Sequence, residues 1–337
     1  MNHENLIEMI ASIAQAFGPS GNEENVREVI EPMIRSYVDE VKVDTLGNLI
    51  AIKRAKAGTE SPKKIMLSAH MDEIGVLLTY IDAKGFLRFG AVGGVSPFYA
   101  LGARVVFENG TVGTVWYEEK IESMKDLKID KMFIDIGART REEAEESVQV
   151  GDMAVFCGDT VVANGNIISK ALDDRIACSI LVALARILPE EGVGNDIYFV
   201  FSVQEEVGMR GAKTAAYGIM PDLALAVDVT ATGDLPESRH MAVAVGDGPA
   251  IKIKDNSVIC HPEIVNRLRI CAEEKGIPIQ YEVLTFGGTD AGSIHLTAGG
   301  IMTGAVSVPS RYIHSPSEMV SVDDVNSIID LLDAFVR

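Results

Sequence analysis

Two histidines and a set of carboxylates stand in this chain where short apolar runs end. KIMLSA runs into His70-Met71-Asp72-Glu73, DIYFVFSVQ into Glu205-Glu206, LALAV into Asp228, and IMTGAVSVP into Ser310-Arg311-Tyr312-Ile313-His314. Asp173-Asp174 sits just ahead of a helical pattern. Imidazole and carboxylate donors together suit zinc, manganese and cobalt, and no thiolate joins them. A pair of divalent ions about 3.5–4 Å apart needs a bridging carboxylate, terminal ligands on each ion and a further carboxylate to move protons. The strand-end inventory meets that count. Plainer readings exist for each piece: His70 as a hydrogen-bonded surface residue, Glu205-Glu206 as solvated charges, Asp228 and Asp173-Asp174 as helix caps. Five junctions offering the same donor types weigh against five separate coincidences.

The junctions converge only if the strands lie parallel with their carboxyl ends at one edge. Residues 1–72 and 163–337 alternate helical and strand patterns, which predicts a catalytic α/β domain built on a mostly parallel sheet flanked by helices. Residues 73–162 differ. They are rich in glycine and short β-like runs (IGVLLTYI, FLRFGAV, ARVVFENGTVGTVWY, MAVF), which predicts an inserted small β-barrel. In the first section, Ser20-Gly21-Asn22-Glu23 has capping-box spacing at the start of the second helix. In the last section, helices are expected near 174–188 (Ile176, Ile180, Leu184 and Ile187 on one face), 209–218, 261–275, 290–298 and 322–336. AVAVGDGPAIKIKD reads as strand-turn-strand.

Composition narrows the function classes. With 337 residues, 47% hydrophobic and 23% charged, the chain has the make-up of a globular α/β protein. No apolar run approaches the roughly 18 residues of a spanning helix. The formal charge of −19 argues against a nucleic-acid partner, whose phosphates require a basic surface. The N-terminal stretch carries Leu6, Ile10, Ile13 and Phe17 at helical spacing and reads as an amphipathic helix, not a signal peptide. The cytoplasm is the expected location. Cys157, Cys178, Cys260 and Cys271 have no paired spacing and read as buried thiols. His3, His240, His261 and His295 lie away from strand ends and are expected to be structural.

AHMDEIG at 69–75, KALDDR at 170–175, VQEEVGMRGA at 203–212, AVDVT at 226–230 and SRYIHSPSE at 310–318 resemble, in order and along essentially the whole chain, the tetrahedral (TET) and glutamyl aminopeptidases. That family consists of dinuclear metallopeptidases, some of which have been labelled endoglucanases. The resemblance implies a metal-dependent aminopeptidase that trims short peptides from their free N-terminus, with two divalent ions (Zn, Co or Mn) as cofactors. It implies that Asp173 bridges the ions, that His70 and Asp228 complete one, and that Glu206 and His314 complete the other. Glu205 would be the general base and Asp72 the partner orienting His70. Asp174 stays open as the alternative bridge. The resemblance also implies that the 73–162 insert makes dimer contacts and that dimers build dodecamers with inward-facing active sites.

Two rival functions draw on the same residues. A glycoside hydrolase would use a carboxylate pair from Glu205, Glu206 and Asp173, but that chemistry needs neither metal nor the two histidines. A non-enzymatic assembly protein with a vestigial metal site would have no use for Glu205 beside Glu206. Substrate preference is the least legible feature. Phe286–Gly292 reads as a substrate-facing loop. A glutamyl preference would need a cation such as Arg311, Lys252 or Lys254, although IKIK reads more simply as a strand with its lysines on the wet face.

Overall fold

Four strands lie parallel at the centre of the sheet in the computed structural model of the chain, which describes residues 3–121, 123–238 and 240–337. Lys64–His70 runs between Asp196–Ser202 and Leu223–Thr230, with Met302–Arg311 beyond the latter. Antiparallel strands extend the sheet on both sides. Leu49–Lys53 and Glu40–Val43 continue it past Asp196–Ser202. Glu318–Ser321, Asn166–Ser169 and Val161–Ala163 continue it past Met302–Arg311.

Successive strand side chains point to opposite faces, and that alternation sorts the core. Leu67, Phe199, Leu225 and Val306 pack toward the helices His3–Gln15, Glu24–Arg35, Leu172–Ile187 and Val322–Val336. Met66, Tyr198, Val200 and Ala224 pack on the other side with Ala212, Ala215 and Ile219 of the helix Arg210–Ile219. A sheet covered on both faces explains why its strands read as unbroken apolar runs. The expected single apolar face of the helix at 172–187 is too narrow: every residue from Leu172 to Ala185 is buried. The helix is held between the sheet and three other helices, so from Ile176 onward it is apolar on nearly every side. Only its end emerges, where Ile187 is 39% exposed.

Six antiparallel strands close into a separate barrel: Gly75–Ile81, Leu87–Val92, Arg104–Phe107, Val112–Tyr117, Met132–Asp135 and Met153–Phe156. All fall within the 73–162 stretch. Closure leaves no free strand edge, and the barrel fills its interior with its own residues, among them Leu78, Phe89, Val105, Val115 and Ile134.

Several local expectations are corrected. The helix at 24–35 has no capping box: Ser20 Oγ donates to Asp72 Oδ2 at 2.6 Å, and Glu23 Oε1 accepts from the Gly21 and Gln204 amides at 2.7 and 3.0 Å. Ser20 thus serves a distant loop, and Glu23 divides its oxygen between neighbouring Gly21 and distant Gln204. Of AVAVGDGPAIKIKD only Ala250–Lys254 is a strand, and the expected helix at 290–298 is confined to Ala291–Ile294. The wet-face reading of the lysines fails for Lys252. It is fully buried, paired with Glu282 and 3.4 Å from Asp255 Oδ2, and Ser307 Oγ donates to the other Glu282 oxygen.

Removing one member of a buried charge cluster leaves the others uncompensated, at a cost of about 3–5 kcal/mol. Lys252→Met is therefore expected to lower the urea midpoint of unfolding by a corresponding amount. An unchanged midpoint would show that the cluster contributes nothing to the folded state.

Candidate metal centre

Because the four central strands run the same way, their carboxyl ends deliver side chains to one edge. His70 closes its strand and is 2% exposed. Glu205 and Glu206 follow the strand ending at Ser202. Asp228 lies inside Leu223–Thr230, so it is a strand residue and not a helix cap. His314 follows the strand ending at Arg311. Asp173 and Asp174 come from the first turn of the central helix, where their φ/ψ values are not yet helical.

Asp173 sits between the two imidazoles. Its Oδ1 is 3.1 Å from His70 Nε2 and its Oδ2 is 3.3 Å from His314 Nε2. His314 Nε2 is also 2.9 Å from Glu206 Oε1. Two sets of donor atoms each converge within 4.8 Å: His70, Asp173 and Asp228 in one, and Asp173, Glu206 and His314 in the other. Asp173 is common to both. Asp174 belongs to neither; its Oδ2 accepts from the His70 backbone amide at 3.1 Å.

Surrounding groups hold these side chains in place. His70 Nδ1 is 3.0 Å from the Asp72 carbonyl oxygen, and the Asp72 carboxylate accepts from Ser20 Oγ and from the Glu205 and Glu206 amides at 2.9 and 3.1 Å. Glu318, 2% exposed, accepts from the Asp173 amide at 2.8 Å and from the His314 amide at 2.7 Å. His314 Nδ1 is 3.1 Å from the carbonyl oxygen of Gly94, in the loop that follows the barrel strand Leu87–Val92.

The charge balance bears directly on metal binding. Asp72, Asp173, Asp174, Glu205, Glu206, Asp228 and Glu318 crowd one site with two imidazoles. Burial raises the Glu205, Asp228 and Asp174 carboxyls well above the ordinary range, and nearby carboxylates add to the rise. Burial opposes ionisation of Asp173 too, but hydrogen bonds from His314 and His70 hold it below the usual range. Burial likewise works against the charged form of His314, yet Asp173 and Glu206 push it up to about 12. A surplus of desolvated carboxylates is costly unless cations offset it. Nitrogen and oxygen donors arranged in two sets that share one carboxylate fit a pair of borderline divalent ions.

The description of the M42 glutamyl aminopeptidases matches residues 47–331. The chain belongs to the M42 peptidase family. A putative aminopeptidase of Acetivibrio thermocellus is 57% identical over 332 residues, covering 98% of each chain. The lysyl aminopeptidase of Pyrococcus furiosus is 32% identical over 98% of this chain and 96% of its own. Among solved structures, an aminopeptidase from Desulfurococcus kamchatkensis superposes with a TM-score of 0.93 at 38% identity, covering 99% of this chain and 94% of that one. The Pyrococcus horikoshii TET1 peptidase, which can assemble into a tetrahedron or a large octahedral shell, gives 0.86 at 36% identity over 98% and 99%. A Thermotoga maritima protein described as an endoglucanase gives 0.81 at 33% identity over 97% and 96%. Membership makes the chain a hydrolase of the exopeptidase kind.

In this M42 peptidase a cleft of about 760 Å3 opens over the donor sets, with Glu205 on its wall. His240, expected to be structural, also lines the cleft. His261 accepts from the Glu263 amide as a helix cap and His295 Nδ1 lies 2.9 Å from the Ala291 carbonyl, as structural residues do. The side chain of His3 falls outside the described part of the structure. Four contributors escape a reading by strand ends: Ser20, Glu23, Gly94 and Glu318. Glu318 lay within the SRYIHSPSE stretch, and its position four residues after His314 was the available signal. The others act across the fold and leave no local trace.

Proposed function

We propose that this M42 peptidase removes single residues from the free N-terminus of short peptides, using two divalent ions held by the two donor sets. Asp173 would bridge them, His70 and Asp228 would hold one and Glu206 and His314 the other, with Glu205 as the general base and Asp72 orienting His70. The observation that carries this reading is the placement of the two Asp173 oxygens against different histidines, which favours Asp173 over Asp174 as the bridge.

Bound divalent ions supply Lewis acidity, lowering the pKa of water and polarising a carbonyl. Glu205 takes a proton as the water oxygen adds to the first peptide carbonyl carbon. It returns that proton to the amine nitrogen as the C–N bond breaks. Asp72 fixes the Glu205 backbone through the Glu205 amide, so that the base stays aimed into the cleft. The carboxylate-rich edge attracts the cationic α-amino group, which gives a reason for exopeptidase behaviour.

The test is release of free amino acids from unblocked and N-acetylated peptides by metal-free protein and after zinc, cobalt or manganese is restored. Metal-dependent release confined to unblocked peptides is expected. Failure on every peptide with two ions bound would overturn the reading. Activity on a β-glucan that survives chelation would favour the glycoside hydrolase instead.

Two structural features lead to further expectations. A Cβ added at Gly94 would lie 2.6 Å from His314 Nδ1, so Gly94→Ala must displace the imidazole. Metal affinity is expected to fall about tenfold or more, and a calorimetric titration matching the wild type would contradict this. On the barrel, Val112 and Trp116 are 51% and 48% exposed. They support the 73–162 segment as a dimerisation domain within a larger, dodecameric assembly; light scattering of Trp116→Lys should then show smaller particles than the wild type. The four cysteines are free thiols, three of them buried, which supports a reducing, cytoplasmic setting. Recovery of the native protein in an extracellular fraction would oppose it.

A further inference from the structure

Beyond the donor sets, the cleft walls carry apolar side chains, among them Met209, Leu235, Met241, Leu284, Phe286 and Ile313, beside hydroxyl-bearing residues and His240. Among the described lining residues Arg311 is the one lysine or arginine, three positions before His314. Its guanidinium is engaged by a carboxylate on one side. Nε lies 3.2 Å from both oxygens of Asp234, and a terminal nitrogen is 2.5 Å from Oδ2. Asp234 is pinned in turn. It accepts from Thr232 Oγ1 at 2.6 Å and from the Val245 amide at 3.1 Å. Arg311 lines the cleft, whereas Asp234 does not. Lys252 and Lys254 are not among the described lining residues, and Lys252 is buried in its own charge cluster.

We propose that the Asp234–Arg311 pair determines specificity: by cancelling each other's charge, the two residues leave a cleft that favours an uncharged, apolar first residue over glutamate or lysine. The inference rests on the aminopeptidase reading above. A glutamyl side chain would find the Arg311 charge already offset by Asp234 and would gain little from approaching it. A lysyl side chain reaching toward Arg311 would meet a like charge whose carboxylate partner, Asp234, is already committed. A leucyl side chain gives up only apolar surface to apolar walls.

The pair predicts a reciprocal switch. Asp234→Asn keeps the acceptor for Thr232 while freeing Arg311, and is expected to raise the kcat/KM ratio of glutamyl to leucyl substrates about tenfold or more. Arg311→Met exposes the Asp234 carboxylate and is expected to raise the lysyl-to-leucyl ratio similarly. Binding of free leucine, glutamate and lysine to the metal-loaded proteins, followed by calorimetry, gives the same ranking without turnover. If wild-type protein and both variants rank the ligands as stated but cleave no peptide, the aminopeptidase reading fails and the specificity assignment stands. If the wild type prefers glutamate or lysine, or if neither variant shifts its ratio in either readout, the assignment is overturned.

Discussion

Glu205→Gln is expected to retain two bound metal ions and to lose about a hundred- to ten-thousand-fold in kcat, the range for removing a positioned general base. Glu205 belongs to neither donor set, so an amide of the same shape should leave the ligand geometry intact. Its backbone amide still donates to Asp72 in the variant, which keeps the loop in place. Loss of kcat with little change in KM, together with an unaltered metal stoichiometry, would identify a group that acts in the chemical step. Near-normal turnover would remove Glu205 from the mechanism. Loss of metal would make it a ligand instead.

The second large effect is expected at Asp173. Because its carboxylate is shared by both donor sets, Asp173→Ala should weaken both ions together. We expect apparent affinity to fall more than about a hundredfold, beyond the 10- to 100-fold typical of an outer partner, and activity to drop to background. Asp174→Asn is the matched control, since Asp174 reaches the centre only through the His70 amide. It should cost about 10- to 100-fold in affinity at most. Metal titrations of the two variants distinguish the bridge from its neighbour. A larger loss at Asp174 than at Asp173 would reverse the assignment.

The fold was legible where hydrophobic pattern and burial coincide. Runs such as KIMLSA and LALAVDVT are mostly apolar because both faces of the sheet are covered, and that pattern is visible without coordinates. The barrel announced itself by short runs between glycines, because closing six short strands requires frequent turns. Patterns failed where burial is not one-sided. The central helix reads as amphipathic only until its other neighbours, the helices His3–Gln15, Glu24–Arg35 and Val322–Val336, are known.

The candidate site divides along a similar line. His70, Glu205, Glu206, Asp228 and His314 could be found because the end of a strand is a local feature, and parallel strands carry such ends to one edge. Partners at long range could not. Ser20 meets Asp72 across 52 positions, Gly94 meets His314 across 220, and Glu318 meets Asp173 across 145. Ser20 and Glu23 were even misleading, since their spacing matched a helix cap that they do not form. Lys252 and Arg311 show the same limit for charge: a cation in the sequence carries no mark of whether a carboxylate elsewhere will neutralise it.

By itself, then, the sequence determined the α/β architecture with its inserted barrel and marked the candidate donor residues, because periodicity and strand ends are properties of short segments. The tertiary structure alone decided that Asp173 lies between the two histidines, which loop groups hold them, and that Asp234 pairs with Arg311. Each of those depends on distances between segments far apart in the chain, and such distances exist only once the core has packed.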